Sequence, residues 1–276
     1  MKSFVPPPLA CDAHCHVFGP AAKFPYDPRA AYQPEDAPFE ELQKLHSRLG
    51  LQRAVIVHAS CHGADMRVTL DAIARSGGSF RGTAIIDSSV SEKDFERMHE
   101  GGIRAVRFNF VRHLGGRPSM DFFQRTVQKL QSFGWHLILH LDAQDLVELE
   151  ELLSTLPVPF VIDHMGRVKA GDGLEQRPFK TLLGFLKNEN AWVKICGAER
   201  VSSKGPPFTD AVPFGRALVE AAPERVLWGT DWPHPNVRWM PDDGALLELF
   251  GLMVPEPALQ QMILVNNPAR LYGFGI

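Results

Sequence analysis

Residues 12–16 read DAHCH and place two histidines two apart at the end of a short apolar stretch. Successive side chains of an extended strand point to opposite faces, so His14 and His16 share a face and Cys15 points away. Such a pair of imidazoles can ligate a divalent metal or donate hydrogen bonds to a substrate carbonyl. Other residues of this chemistry also end apolar runs: His140 closes LILH, His164 follows VID, and Asp231 follows VLWGT. His14, His16, His140 and Asp231 form a donor set that zinc takes with one position left to water. Without an ion, the same carboxylate beside imidazoles is a general base for a water molecule.

A cationic feature accompanies them. In GIRAVRFNF, Arg107 and Asn109 share one face and Arg104 the other. A buried guanidinium needs an anion, and its fork matches a carboxylate. Arg200, in CGAER, is a second candidate anchor, the alternative being an exposed loop arginine or one paired with Glu199. The other histidines read more plainly. His46 and His99 fall on helix patterns as solvated residues, His136 near a strand start faces the barrel bottom, and His58 and His62 either shape the loop after the second strand or touch substrate.

These residues need elements to hold them. Eight short apolar runs, 8–14, 53–59, 82–87, 103–110, 135–141, 159–164, 191–196 and 225–231, read as strands. Amphipathic segments at 39–50, 64–77, 92–102, 120–134, 143–156, 178–189 and 212–222 lie between them, several ending at glycine. Alternating strand and helix means parallel pairing with right-handed crossovers, and eight such units in 276 residues match an α/β chain folded as a single (β/α)8 TIM barrel over 1–276. An open doubly wound sheet would carry a glycine-rich phosphate turn after its first strand; here the strand runs into HCHVFGP. The candidate residues sit at C-terminal strand ends, the face where barrel enzymes keep their sites. The stretches 18–38 and 201–211 read as long loops, and loops after strands build the mouth of such a barrel.

Composition excludes several partners. The formal net charge is −3 and no dense Lys/Arg run occurs, so neither nucleic acid nor an anionic membrane has an electrostatic footprint. No run approaches the ~18 apolar residues of a membrane span. The start carries three prolines and no apolar signal core, and the four cysteines read as reduced thiols. The expectation is a cytoplasmic protein, monomer or small homo-oligomer, acting on a small molecule.

The segments CDAHCHVFGP, FPYDP, SCHGAD, VRFNF, VIDHMGR, GPP, LWGTDWPHPN and NNPARLYGF resemble the 2-pyrone-4,6-dicarboxylate lactonases of the amidohydrolase superfamily. The likeness runs from about residue 10 to the C-terminus. It implies hydrolysis of a small anionic lactone in the breakdown of lignin-derived aromatics. It also implies that no metal is required, although relatives use zinc or manganese. By the resemblance, Asp231 activates water, and His14, His16 and His164 surround the attacked carbonyl. Arg107 and Arg200 bind substrate carboxylates, and Tyr32 lies in the loop over the site. Two positions depart from the family pattern. His140 stands where a tyrosine closes the fifth strand, which favours a weakly bound divalent ion, zinc or manganese. His113 stands where an arginine follows RFNF, which removes a fixed cation. A sugar-acid or sulfonated muconolactone, or decarboxylation on a metal, is the alternative chemistry.

Overall fold

The computed structural model describes residues 4–275, apart from Gly115 and the side chain of His113. Eight strands pair in parallel and in chain order: β1 Cys11–Cys15, β2 Arg53–Val57, β3 Phe80–Ala84, β4 Ile103–Asn109, β5 His136–His140, β6 Phe160–Ile162, β7 Ala191–Lys194 and β8 Val226–Leu227. The ends of this sheet meet through backbone hydrogen bonds. Ala13 N donates to Trp228 O at 2.9 Å, Asp231 N to His14 O at 2.7 Å, and His16 N to Trp232 O at 2.8 Å. These bonds close the (β/α)8 barrel and set Asp231 directly beside the two histidines of β1.

Helices α1 Phe39–Leu49, α2 Arg67–Arg75, α3 Glu92–Glu100 and α4 Met120–Phe133 follow the first four strands. The expected helix over 143–156 is broken at Leu149 into α5 Ala143–Glu148 and α6 Glu150–Ser154. Then come α7 Arg177–Phe185, the short α8 Ala198–Val201 with α9 Val212–Ala221, and α10 Asp243–Met253. In α1, Phe39, Leu42, Leu45 and Leu49 recur at helical spacing and are buried, and Gly50 ends the helix in the left-handed conformation. Ser91 and Asp94 form a capping box that starts α3. Helix α10 has no counterpart among the expected helices, because DGALLELFGLM is apolar almost throughout and shows no polar stripe.

Side chains sort into two cores. Outward-facing Ile56, Val106, Leu139, Ile162 and Val193 pack under the helices. Inward-facing Ala13, Val55, Ala105, Ile138, Val161 and Leu227 fill the lumen, closed below by Tyr272 and Phe274. His136 lies at that lower end, its ring 4.8 Å from Tyr272, as its place in the strand predicts. His46 departs from expectation. It is buried rather than solvated, and its Nε2 lies 3.1 Å from Asp12 Oδ2, so a polar residue on the inner face of α1 serves the barrel wall. Among the described residues, no helix is long and apolar enough to cross a membrane.

Candidate active site

The geometry begins with an irregularity in β1. Asp12 pairs with Ala54 but Cys15 with Ile56, so β1 holds one residue more than its neighbour. Such a bulge re-aims side chains. Cys11 and Ala13 face the lumen core, yet His14 also reaches inward, while Asp12 turns the other way. Asp12 is fully buried. Its Oδ1 accepts from the backbone N–H of His14 and Thr230, and its Oδ2 from the Thr230 hydroxyl at 2.7 Å. This carboxylate joins β1 to the chain after β8. Gly229 completes the join, since a Cβ there would lie 2.7 Å from Asp12 Oδ1.

Asp231 occupies the centre. Its Oδ1 lies 3.3 Å from His16 Nε2, 3.4 Å from His14 Nε2 and 4.0 Å from His164 Nε2. Its Oδ2 accepts from Arg200 Nε at 2.8 Å and Nη2 at 2.5 Å. Burial opposes its charge, but Arg200 and the imidazoles hold the carboxyl well below the usual range. The backbone at Asp231 has φ +66°, a conformation that costs a non-glycine residue ~1–3 kcal/mol and is typical of functional sites.

His164 owes its position to a left-handed turn. His164, Met165, Gly166 and Arg167 all have φ between +50° and +64°, so the chain swings sharply after β6. Its ring packs 4.6 Å from His14 and 5.4 Å from His140. Gly197 leaves room for it, because a Cβ there would stand 2.7 Å from His164 Nδ1. Cys196 Sγ lies 3.4 Å from the same nitrogen. Burial pushes His14 down to about 4, with the Lys194 charge adding to the effect, and holds His140 and His164 well below the ordinary histidine value.

Beneath the histidines runs a buried charged layer whose other members escaped the sequence reading. Arg107, two residues beyond lumen-facing Ala105, donates from Nε to Asp163 Oδ2 at 3.0 Å. Asp163 Oδ1 lies 3.1 Å from Lys194 Nζ and 3.3 Å from His14 Nδ1. The protein itself thus supplies the anion that a buried Arg107 requires. Its two Nη groups take no hydrogen bond among the described residues and stay available to a ligand. Strand parity carried the signal: Asp163 follows Val161 and Lys194 follows Trp192 by two, and both predecessors face the lumen.

The remaining predicted residues group around this centre. His140 Nδ1 lies 3.1 Å from Asn109 Oδ1, and both sit at the upper ends of their strands. Tyr32 is half-buried in the loop after β1, packed on Phe18, Ala37, Ala59 and Cys61. Burial pushes its phenol up, and the nearby Arg107 acts in the opposite sense. His113 belongs to a short turn, Arg112–Leu114, and its side chain lies outside the described residues. His58 and His62 are buried and bonded within their own loop region, to Thr69 and Gly63 and to Pro25. Glu199 is buried 3.4 Å from Arg200 Nε, so Arg200 does pair with its neighbour as well as with Asp231, and the Glu199 carboxyl is raised to about 7 by burial and by Asp231.

Ligand atoms of His14, His16 and Asp231 lie within 4.8 Å of one another, a spacing that a divalent ion could use. His140 is not part of that group. Distances fit an ion better than hydrogen-bond directions do. Arg200 already occupies one oxygen of Asp231, and the nearer neighbour of His14 Nδ1 is a donor, the Lys194 amine at 3.1 Å, with the Asp163 carboxylate oxygen beyond it at 3.3 Å. A metal-ligating histidine instead gives its second N–H to an acceptor.

Known proteins bear on this arrangement. The family model described as amidohydrolase matches residues 11–274. The chain is 43% identical over 276 residues to a 2-pyrone-4,6-dicarboxylate hydrolase of Comamonas testosteroni, covering 96% of this chain and 90% of that one. It is also 43% identical over 274 residues to a 4-sulfomuconolactone hydrolase of Hydrogenophaga intermedia, covering 98% and 90%. A crystal structure of a probable 2-pyrone-4,6-dicarboxylic acid hydrolase from Acinetobacter baumannii, with citric acid bound, superposes with a TM-score of 0.86 at 25% identity, covering 96% and 100%. With the barrel, its strand-end histidines and these matches in agreement, the chain belongs to the amidohydrolase family, in the group that holds the pyrone-dicarboxylate and sulfomuconolactone hydrolases.

Proposed function

We propose that the chain hydrolyses the cyclic ester of a small anionic lactone, with 2-pyrone-4,6-dicarboxylate the leading substrate, in aromatic catabolism. The observation that carries this reading is Asp231 Oδ1 ringed by the Nε2 atoms of His14, His16 and His164, with the free Nη groups of Arg107 in the lumen layer below. Water held at Asp231 gives it a proton as the oxygen attacks the lactone carbonyl. Imidazole N–H groups take the charge that develops on the carbonyl oxygen. Collapse of the tetrahedral intermediate breaks the ring C–O bond, and the leaving oxygen is protonated. The product is the ring-opened acid, heavier by one water.

Arg107 and Arg200 orient the substrate through its anionic groups. A substrate carboxylate at Arg200 competes with Asp231 Oδ2 for the same guanidinium, and loosening that pair makes Asp231 a stronger base. In this reading no metal is required, and an ion at His14, His16 and Asp231, with His140 beyond them, is held weakly. The four free, buried cysteines suit a reducing compartment such as the cytoplasm, where the enzyme acts as a monomer or small homo-oligomer.

The test is loss of pyrone ultraviolet absorbance with purified protein and a panel comprising 2-pyrone-4,6-dicarboxylate, a sulfonated muconolactone and a neutral lactone. Products are read by mass in 18O-labelled water. One labelled oxygen per product is expected for an anionic lactone. Carbon dioxide release without label would refute hydrolysis.

A further inference from the structure

The two histidines that β1 presents to Asp231 meet opposite partners at Nδ1. His16 Nδ1 lies 2.7 Å from Val57 O, a carbonyl that can only accept, so a hydrogen sits on Nδ1, and Nε2 stands 3.3 Å from Asp231 Oδ1. That is the orientation of a metal-ligating imidazole. His14 is reversed. Its Nδ1 lies 3.1 Å from Lys194 Nζ, a group that offers donors and no acceptor when charged.

Asp163 Oδ1 lies farther from that nitrogen, at 3.3 Å, and of the two neighbours it is Lys194 that has hydrogen-bond geometry to Nδ1. Asp163 Oδ1 also stands 3.1 Å from Nζ, so the lysine is paired with a carboxylate in this wholly buried place. If Nδ1 accepts from Lys194, the ring hydrogen belongs on Nε2, the buried His14 atom that has no hydrogen-bond partner and points toward Asp231.

We infer that Lys194 is a positioning residue that fixes His14 as an Nε2–H donor, turning a pocket with metal-site spacing into one that polarises a carbonyl by hydrogen bonding. No sequence motif announces it. The lysine lies on β7 and the histidine on β1, two strands apart across the β7–β8–β1 closure. Its ammonium lies near enough to the ligand cluster to repel a cation as well. The inference deepens the lactonase reading and rests on it for the purpose of the N–H, whereas its test does not depend on turnover.

The test is 15N NMR of histidine-labelled protein, with the His14 signals assigned by their loss in His14→Gln, paired with calorimetric titration of zinc. Wild-type protein should show His14 protonated on Nε2 and bare on Nδ1. In Lys194→Met the hydrogen should move to Nδ1, facing Asp163, and zinc should bind about 10–100-fold more tightly, the usual reach of a residue that orients a ligand. Lys194→Arg, which restores a donor, should return zinc affinity toward wild type. A wild-type His14 protonated on Nδ1 overturns the inference even if Lys194→Met fails to fold. Unchanged tautomer and zinc affinity in a folded Lys194→Met also overturn it. A protein with the expected tautomer that opens no lactone would instead sink the proposed function alone.

Discussion

Replacing Arg107 with methionine separates the two loads its side chain carries. Arg107 is 6% exposed, and its Nε is bonded to Asp163, which is completely buried. Removing one partner of a buried pair costs about 3–5 kcal/mol when the remaining charge is uncompensated. Asp163 keeps Lys194 Nζ 3.1 Å from its other oxygen, so the lower end applies, about 3 kcal/mol. At about 2–4 °C per kcal/mol, the melting temperature should fall by about 6–12 °C.

The second load falls on turnover. Under the proposed function the two Nη groups bind a substrate carboxylate through charge-assisted bonds, at about 1.5–3 kcal/mol each or about 3–6 kcal/mol together, so kcat/KM should drop about 10²–10⁴-fold. The assay compares kcat/KM for a carboxylated and a neutral lactone well below the melting temperature, alongside thermal melts. The neutral lactone should lose much less. Equal loss for both would refute the anion-binding role, and an unchanged melting temperature would refute the reasoning about Asp163.

Asp231→Asn should leave the fold intact, since Arg200 also reaches Glu199 and Pro235 O, and should lower kcat by about 10²–10⁴-fold; near-normal turnover would remove Asp231 from the chemistry. Gly197→Ala combines a φ of +76° with a Cβ 2.7 Å from His164 Nδ1. It should cost at least ~1–2 kcal/mol in thermal melts and lower kcat by displacing that imidazole; unchanged values of both would show that the backbone accommodates it. Stability should also fall in acid. Burial holds His58 and His136 down to about 3 and His14 down to about 4, whereas the unfolded chain binds these protons near pH 6.5. The unfolded state therefore carries more protons below pH 6.5, and stability is lost as pH falls from about 6.5 towards 3–4. Urea melts at pH 7.5 and 4.5 should show a loss of about 2–3 kcal/mol for each such histidine, and His58→Gln should remove its share; an equal loss in that variant would exclude His58 as a source.

Much of this protein is written locally. The alternation of short apolar runs with amphipathic segments determines the barrel, because period 2 and period 3.6 are properties of neighbouring residues alone. The same local rule places Arg107 and Asn109 on one face and puts His14, His140, His164 and Asp231 at the strand ends that form the mouth. What each side chain meets there is not local. Strand parity would set Asp12 beside His14 and His16, and the extra residue in β1 turns it away towards Thr230 and His46. The left-handed turn at 164–167 contains three non-glycine residues that no turn preference predicts. Parity can show that Arg107 points inward, but only the closed barrel brings Asp163 from β6 to meet it and Lys194 from β7 to meet His14. These partners lie 56 and 180 residues away in sequence, and the energy that fixes them comes from burying opposite charges and hydrogen-bond donors in one lumen. The sequence by itself determined which groups face the site; tertiary structure decided which are paired, and so which remain free to act on a substrate.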